Sequence, residues 1–296
     1  MKYPKISIVT PCFNMEKYIE GTIISVLGQR YPNLEYIIVD GGSKDNTMEI
    51  VEKYRTRLTK VISEPDNGMY DAIHKGFSIA TGEILCWLNA DDQSLPWAFH
   101  VVGNIFSQFP DVNWIMGLPA FLNEERMLTC IYDTPAAIPQ RYIANGWCRS
   151  EIRGFLQQES MFWRRELYEK AGCINSCYRA AADFELWMRM AKHSELTTLN
   201  IPLSAFMQRR LSLSKATKLY DEEMKQILAD FPKYPSFLWK LGAKCMPLKA
   251  IMRLCSIHAA PVIYYSQKHN NFIFSRKRRS VSGNSIGQIY QSVMWE

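Results

Sequence analysis

The sequence predicts an α/β protein with a mostly parallel sheet flanked by helices, followed by a basic and mainly helical extension. Strand-like apolar runs alternate with amphipathic segments as far as Gly117, a pattern typical of parallel sheets covered by helices. The charge of the 296 residues is uneven: the net charge is +6, but residues 231–296 contain ten Lys or Arg and one acid, which leaves residues 1–230 at −3. Two prolines, Pro232 and Pro235, would end a preceding helix. We therefore expect two units, residues 1–230 and residues 231–296.

The predicted strands are short apolar runs bounded by turn residues: Ile6–Thr10, Leu34–Asp40, Val61–Glu64, Glu83–Asn89 and Trp114–Gly117. The segments between them have helical periodicity: Met15–Leu27, Asn46–Tyr54, Met69–Ile79 and Pro96–Phe109. Farther along the chain, the pattern predicts a strand over Phe155–Trp163 and helices over Ala181–Lys192 and Thr217–Ala229.

The composition excludes several classes of protein. A hydrophobic content of 47% excludes a disordered or low-complexity chain. The eight cysteines are scattered, which is typical of a reducing compartment and provides no zinc-ligand spacing. Neither a signal peptide before the first strand nor an apolar run long enough to span a membrane is found. We expect a cytoplasmic protein.

Carboxylates stand where three of the predicted parallel strands end. Asp40 closes the second strand, Asp66 follows the third, and Asp91 and Asp92 follow the fourth. Ligands of open parallel sheets bind beyond the carboxyl ends of the strands. We therefore expect the functional site at this edge of the sheet.

The pair Asp91 and Asp92 provides two hard oxygen ligands. Such ligands suit Mg²⁺ or Mn²⁺ shared with substrate phosphates, and the metal would neutralise charge on a pyrophosphate leaving group. The alternative is structural: Asp92 or Ser94 could cap the helix that starts near Pro96.

Two further carboxylates are candidates for contact with a ligand. Asp40 could accept hydrogen bonds from a nucleobase or a ribose hydroxyl, and simple turn chemistry explains Gly41 to Ser43 but not Asp40. Asp183 stands at a helix start after small residues. It could cap that helix or act as a general base that takes a proton from a hydroxyl nucleophile.

Together these segments resemble family 2 glycosyltransferases, which are inverting enzymes of GT-A fold that use nucleotide-activated sugars. The resemblance covers residues 5–215 and leaves out the extension. It rests on SIVTPCFN (7–14), SVLGQ (25–29), YIIVDGGSKDNT (36–47), EPDNGMYDAIHKG (64–76), ATGE (80–83), LNADD (88–92), QESMFWRR (158–165) and DFELW (183–187).

The resemblance implies a Rossmann-like GT-A domain and a set of site residues. The residues implied to line the nucleotide pocket are Thr10, Pro11, Phe13 and Asn14, with Asp40 on the base and Asp66, Gly68 and Lys75 near the nucleotide. Asn89, Ala90 and Asp91 resemble the metal-binding Asp-x-Asp segment, in which Asp91 would hold the metal or the ribose and the metal ligand is Asp91 or Asp92. Asn89 stands where the first Asp of that segment often stands, so one ligand is either lost or supplied through water. Asp183 matches the catalytic base.

The chain departs from the family pattern at two places. His74 stands where the family usually has Asn. Arg209 and Arg210 stand where many relatives have a Gly-Gly pair. These arginines could contact the pyrophosphate through charge-assisted hydrogen bonds, or they could belong to a solvated basic loop.

The extension combines basic and aromatic residues, which suits an anionic membrane surface. The alternatives are a helical hairpin packed on the first unit and, least favoured, a nucleic-acid surface, for which no reading module is present. We therefore expect no nucleic-acid partner, and a cytoplasmic protein held at the inner face of the plasma membrane.

The expected function is transfer of a sugar from a nucleotide-diphosphate donor to a hydroxyl of a glycan acceptor, lipid-linked, in bacterial surface-polysaccharide biosynthesis. The enzyme would depend on Mn²⁺ or Mg²⁺. Two alternatives remain open: a sugar-phosphate nucleotidyltransferase, which would need a glycine-rich triphosphate loop that residues 10–14 do not provide, and a non-catalytic module that binds nucleotide-sugars.

Overall fold

The structure, a computed structural model, describes residues 3–132, 138–148, 156–209, 213–229 and 260–276. The strands within these residues are β1 (Ile6–Cys12), β2 (Leu34–Asp40), β3 (Lys60–Ser63), β4 (Ile84–Trp87), β5 (Gln93–Ser94), β6 (Trp114–Met116), β7 (Ala120–Leu122), β8 (Leu128–Ile131), β9 (Met161–Arg164), β10 (Thr197–Leu199), β11 (Ser204–Met207), β12 (Val262–Ser266) and β13 (Asn271–Ser275). The helices are α1 (Ile19–Leu27), α2 (Thr47–Glu52), α3 (Met69–Ile79), α4 (Ala98–Gln108), α5 (Gln140–Ala144), α6 (Arg165–Lys170), α7 (Ala182–Met190) and α8 (Leu213–Ala229).

The main sheet has nine strands in the order β13-β12-β10-β6-β9-β4-β1-β2-β3. Neighbours are parallel except at β9, which runs antiparallel to β4 and β6, and at the β12–β13 hairpin. This confirms the predicted mostly parallel sheet flanked by helices. Because the chain moves from β1 outward to β3 and then returns to β4 beside β1, the strand order reverses between β1 and β4. Ligands of open α/β sheets bind at such a reversal.

Both faces of the sheet are covered by helices. Along β1, Ile6 and Ile8 pack in the cluster that includes α1 and α4, whereas Val9 packs in the cluster that includes α3 and α7. Since successive residues of a strand point to opposite faces, a nearly continuous apolar run buries both sides of the strand. The strand ends are thereby held rigidly on a packed core.

A second sheet of four strands, β5-β11-β7-β8, lies where the chain leaves the main sheet. The pairing of β11 with β5 is antiparallel and its pairing with β7 is parallel. This places residues 206–209 next to the turn after β4, although the two segments are more than about a hundred residues apart in the sequence. The sequence pattern predicted none of these short strands.

The described part of residues 231–296 is the hairpin of β12 and β13. β12 pairs in parallel with β10, so the hairpin extends the main sheet, and Arg276 forms an ion pair of 2.7 Å with Glu195. The rest of this extension, which the sequence predicts to be mainly helical, lies outside the described residues. The boundary at residue 230 stays a prediction. In the part of the chain that the structure describes, no helix is long and apolar enough to cross a membrane.

Candidate active site

A cavity of about 630 Å³ opens at the carboxyl ends of β1, β2 and β4, within the size range of ligand pockets. Most of its wall comes from what we call the strand-end loops, residues 11–15, 41–46, 64–68 and 89–92. The lining residues are Pro11, Cys12, Phe13, Met15, Gly41, Asp66, Asn67, Gly68, Met69, Ala72, Asn89, Ala90, Asp91, Arg179, Phe206, Met207 and Arg209.

The loop after β1 contributes both wall and framework. Pro11 and Phe13 line the cavity, and the Phe13 ring is 57% exposed, so an aromatic face is available to a ligand. Thr10 lies behind the wall, buried, with its Oγ1 at 3.1 Å from the Tyr36 hydroxyl. Asn14 has a φ of 53°, a left-handed conformation that asparagine tolerates better than most residues. Its Oδ1 accepts a hydrogen bond of 2.8 Å from the backbone of Lys44.

Asp40 is completely buried and does not line the cavity. The register of the sheet places it between Cys12 of β1 and Ser63 of β3. Its carboxylate accepts hydrogen bonds from the Ser63 hydroxyl at 2.7 Å, from the backbone of Gly42 at 3.1 Å, and from the backbone and hydroxyl of Ser43. Asp40 therefore fixes the 41–43 turn against the sheet, and it is Gly41 from that turn that reaches the cavity.

The loop before α3 is built around Asp66. The Asp66 side chain lines the cavity, and its Oδ1 accepts a hydrogen bond of 2.8 Å from the backbone of Gly68. Gly68 has a φ of 118°, which only glycine adopts readily. A Cβ on Gly41 would lie 2.6 Å from the Asp66 carboxylate. On this side of the cavity, the loop after β2 and the loop after β3 are therefore in close contact.

Lys75 braces the same loop from outside the cavity. Its ammonium pairs with Glu64 at 2.9 Å and with Asp71 at 3.6 Å. The hydrogen bond to Glu64 is the first cause of a raised Lys75 pKa. Lys75 does not line the cavity.

The two carboxylates after β4 face in different directions. Asp91 lines the cavity and forms an ion pair of 2.7 Å with Arg209. Asp92 is completely buried; it accepts a hydrogen bond of 2.9 Å from the backbone of Met207 and one of 3.2 Å from the Asn89 amide. Burial, reinforced by the Asp91 charge, raises the pKa of Asp92 well above its ordinary value. Of the pair, Asp91 is the carboxylate at the cavity.

Arg209 and Arg126 are the cations nearest to Asp91. Burial raises the pKa of Asp91, and both guanidinium groups oppose that rise. Arg209 lies over the Tyr18 ring, and its Nε is buried without a hydrogen-bond partner. Arg209 was predicted from its place in the sequence. Arg126 was not, because it lies in a turn with no motif around it, although its side chain is partly buried. Arg210 lies outside the described residues.

Oxygen donors at the turn after β4 fit a divalent cation that shares its coordination with a phosphate. Asp91 provides a carboxylate, and the buried Oδ1 of Asn89 has no hydrogen-bond partner among the described residues. Mg²⁺ is usually bound by one or two carboxylates together with substrate phosphates. Among the residues with described positions, no group of three Asp, Glu, His or Cys side chains could hold a metal by itself.

Asp183 stands in the first turn of α7, four residues after Arg179. Arg179 lines the cavity, whereas Asp183 is not one of the lining residues. Its Oδ1 accepts a hydrogen bond of 2.8 Å from the backbone of Phe184 and lies 3.1 Å from the Tyr70 hydroxyl. Burial raises the pKa of Asp183 from 3.8 to about 6, and the two hydrogen bonds limit that rise. A carboxyl group with such a pKa accepts a proton more readily than an exposed carboxylate at neutral pH.

Sequence reasoning gave no site role to several residues around the site. Arg179 lines the cavity but lies outside the segments that carry the resemblance. Tyr70, which contacts Asp183, and Glu159, whose pKa is raised by burial, lie within two of those segments, residues 64–76 and 158–165. Their places in these segments were the signal that could have found them.

Comparison with known proteins shows that part of the chain is similar to glycosyltransferases. Residues 7–123 match the model of a family described as glycosyl transferase family 2. A protein of Mycobacterium tuberculosis, "PGL/p-HBAD biosynthesis glycosyltransferase", is 25% identical over 204 residues, which are 67% of this chain and 74% of that protein.

Solved structures share the fold. S. aureus TarS 1-349 in complex with UDP-GlcNAc has a TM-score of 0.57 at 17% identity, covering 86% of this chain and 80% of that one. A longer TarS chain is covered to 42%. The mannosyltransferase PcManGT from Pyrobaculum calidifontis, in complex with GDP-Man and Mn²⁺, has a TM-score of 0.53 at 16% identity, with 86% and 80% coverage. These likenesses support the GT-A-type fold.

Proposed function

We propose that this chain, whose residues 7–123 are a family 2 glycosyltransferase domain, transfers a sugar from a nucleotide-diphosphate donor to an acceptor hydroxyl with inversion. The observation that carries the proposal is the composition of the cavity wall. The wall contains the exposed ring of Phe13, the carboxylates of Asp66 and Asp91, and the guanidinium of Arg209. Asp183, with its raised pKa, follows the lining residue Arg179 by four residues. These are the groups that binding a nucleotide, holding a diphosphate and activating a hydroxyl require.

The strand-end loops would hold the nucleotide. Phe13 offers a face for stacking on the base, and Asp66 offers a hydrogen-bond acceptor at the cavity surface. Asp40 would act through the turn that it fixes, because its oxygens already accept hydrogen bonds within the protein. Thr10, Asn14 and Lys75 would likewise support the loops, while Pro11, Gly68 and Ala90 would form wall.

The diphosphate would lie against Asp91 and Arg209. Asp91, with Asn89 beside it, would hold Mn²⁺ or Mg²⁺ together with donor phosphate oxygens, and the metal would neutralise negative charge on the leaving diphosphate. The Arg209 guanidinium would donate charge-assisted hydrogen bonds to the same group. Its ion pair with Asp91 at 2.7 Å keeps it at the cavity wall before the donor binds.

Asp183 would act as the base. The acceptor oxygen forms a bond to the anomeric carbon, the bond from that carbon to the diphosphate oxygen breaks, and the acceptor proton passes to Asp183. Both hydrogen bonds that Asp183 accepts within the described residues fall on Oδ1. This leaves Oδ2 to take the proton. The nucleoside diphosphate departs with its charge facing Arg209.

The acceptor would be a lipid-linked glycan of bacterial surface-polysaccharide biosynthesis. The M. tuberculosis relative is named for PGL/p-HBAD biosynthesis, and the net charge of +9 over residues 231–296 would attract the chain to anionic lipid. Pelleting of the full chain with vesicles tests this. We expect more binding to vesicles that contain phosphatidylglycerol than to neutral ones, and less after Lys277, Arg278 and Arg279 are changed to Gln. Equal binding of both proteins to both vesicles would contradict the membrane proposal.

A donor screen tests the proposed reaction. Thermal unfolding is followed with UDP-, GDP- and dTDP-sugars, each with and without Mn²⁺, and any stabilising donor is then assayed for release of nucleoside diphosphate. A ligand that binds only the folded state raises the melting temperature, so we expect stabilisation by one donor class and a larger effect with Mn²⁺. Release of pyrophosphate from a nucleoside triphosphate and a sugar phosphate would instead indicate a nucleotidyltransferase. Stabilisation without turnover would indicate a binding module.

A further inference from the structure

Helix α7 begins without a capping side chain of its own. The residue before its first turn is Ala181, and Ala180 and Ala182 flank it. A helix start exposes backbone N–H groups that need acceptors, usually from Ser, Thr, Asp or Asn at the cap. Because Asp183, the candidate base, lies in the first turn of α7, its position depends on the turn that precedes the helix.

Another helix provides an acceptor for the turn that leads into α7. The Glu223 carboxylate of α8 accepts three backbone hydrogen bonds: one of 2.8 Å from Arg179, one of 2.8 Å from Ala180 and one of 2.9 Å from Ala181. Glu223 is only 8% exposed. A buried carboxylate with three N–H donors forms charge-assisted hydrogen bonds, which are stronger than neutral ones, and a negative charge is also favourable near a helix N-terminus.

Apolar contacts hold Glu223 in register with the turn. Met224 and Ile227 of α8 pack in one buried cluster with Ala181, Phe184 and Met188. The carboxylate is therefore positioned by the same packing that fixes α7. This arrangement is specific to Glu223, because the neighbouring Glu222 points to solvent with a side chain 56% exposed.

The turn that Glu223 holds carries two parts of the site. Arg179 lines the cavity, and the Ala180 carbonyl lies 3.1 Å from the Tyr70 hydroxyl, which also lies 3.1 Å from Asp183. A shift of the turn would therefore move the Arg179 guanidinium and the hydrogen bond to Asp183 together.

We propose that Glu223 is a positioning residue, which holds the turn of residues 179–181 and thereby keeps the cavity-lining Arg179 and the following Asp183 in a productive arrangement. This inference rests on the proposed function, since it assumes that Asp183 is the base. Glu223 acts through the backbone of the turn, and a misplacement of about 1 Å in an active site can cost on the order of 100-fold in rate.

Glu223 also contributes to the electrostatics of the base. The ionisable groups that face Asp183 are Tyr70 of α3 and Tyr220 and Glu223 of α8. Burial is the main cause of the raised Asp183 pKa, and the Glu223 charge acts in the same direction. Replacing Glu223 by Gln removes that charge, so the pH below which the rate falls should move to a lower value.

The test compares Glu223→Ala and Glu223→Gln with the matched control Glu222→Ala. The rate is measured as nucleoside diphosphate released from the donor that the screen identifies, and donor affinity by calorimetry. For Glu223→Ala we expect kcat to fall by about 10- to 100-fold with donor affinity within about twofold, and Glu222→Ala to match the unmodified chain. Glu223→Gln retains one acceptor oxygen, so we expect a smaller loss of rate and a shift of the acid limb to lower pH.

Hydrogen exchange separates this inference from the proposed function. The amides of residues 179–181 should exchange faster in Glu223→Ala than in Glu222→Ala, while amides of β1 and β4 stay protected. An unmodified chain that releases no nucleoside diphosphate would refute the proposed function while leaving the exchange result readable. An active unmodified chain together with Glu223 variants that match Glu222→Ala in rate, pH profile and exchange would overturn the positioning role.

Discussion

The loop after β2 is held by residues that strand register places side by side, whereas the start of α7 is held by residues from distant parts of the chain. Asp40 of β2 is caged by Ser63, its register partner on β3, and by the turn of Gly42 and Ser43. Asp183, in contrast, contacts Tyr70, which lies 113 residues away in sequence. The turn before it, residues 179–181, donates its backbone hydrogen bonds to Glu223 of α8.

The difference separates a rigid side of the cavity from an adjustable one. Both oxygens of Asp40 accept hydrogen bonds from Gly42, Ser43 and Ser63, so the loop after β2 has one stable arrangement. Asp183 accepts its two described hydrogen bonds on a single oxygen and has a raised pKa. A carboxylate with an oxygen that accepts no hydrogen bond from the described residues can take a proton there. A carboxylate whose two oxygens both accept hydrogen bonds from the protein stabilises the loop instead. The two sides should therefore respond to mutation in opposite ways: loss of affinity at one and loss of rate at the other.

The largest expected effect is on the rate of Asp183→Asn. General base catalysis typically contributes 10²- to 10⁴-fold, so we expect kcat for release of nucleoside diphosphate to fall by about that factor. Since Asn can accept both described hydrogen bonds on its own Oδ1, the surrounding structure and donor affinity should be retained. Calorimetric titration with the donor checks affinity. A variant that keeps most of its turnover would contradict the assignment of Asp183 as the base.

Asp40→Asn should act mainly on donor affinity. Each Asp40 oxygen accepts from N–H or O–H donors, so an Asn amide group would face donors whichever way it is turned. An unsatisfied buried group costs about 1–3 kcal/mol. The variant relieves this cost by moving the turn of Gly42 and Ser43, and donor binding must restore the turn, so we expect binding to weaken by roughly 10- to 100-fold. Asp111→Asn, at an exposed position, is the control. A loss of kcat at unchanged affinity would mean that the two sides are not separable in this way.

The contrast between the two sides also explains what could be predicted from the sequence. Strands β1 to β4 and the strand-end residues Asp40 and Asp91 follow from apolar runs that end in turn formers, a local pattern. The acceptors of the α7 start do not, because Glu223 carries no signal on an amphipathic helix until folding brings α8 onto α7. The ion pair of Asp91 with Arg209 likewise depends on the pairing of β11 with β5. Short-range chemistry was predictable, and contacts made by tertiary packing were not.

Asp183→Asn should stabilise the fold at neutral pH while it abolishes activity. The folded pKa of Asp183, about 6, lies above its ordinary 3.8, so the folded state favours the neutral form. The resulting stability is fully present below about pH 4 and is lost as the pH rises through 6. Asn stays neutral throughout, and we expect the variant to be more stable by about 1–3 kcal/mol at pH 8 and equal at pH 4. Urea unfolding at both values checks this. A variant that is less stable at pH 8 would contradict it.

The smallest expected effect belongs to Lys75→Ala, and it separates contact with the nucleotide from support of the loop. The sequence resemblance places Lys75 near the nucleotide, but its ammonium pairs with Glu64 and Asp71 outside the cavity. Ion pairs at such partly exposed positions contribute about 0.2–1 kcal/mol. If support is the only role, donor affinity should fall by less than about threefold, at most about 0.7 kcal/mol, and the change should shrink in high salt because screening weakens the pairs in the unmodified chain. A loss of about tenfold or more would instead place the ammonium on the donor, because a charge-assisted hydrogen bond to phosphate is worth more than a surface ion pair.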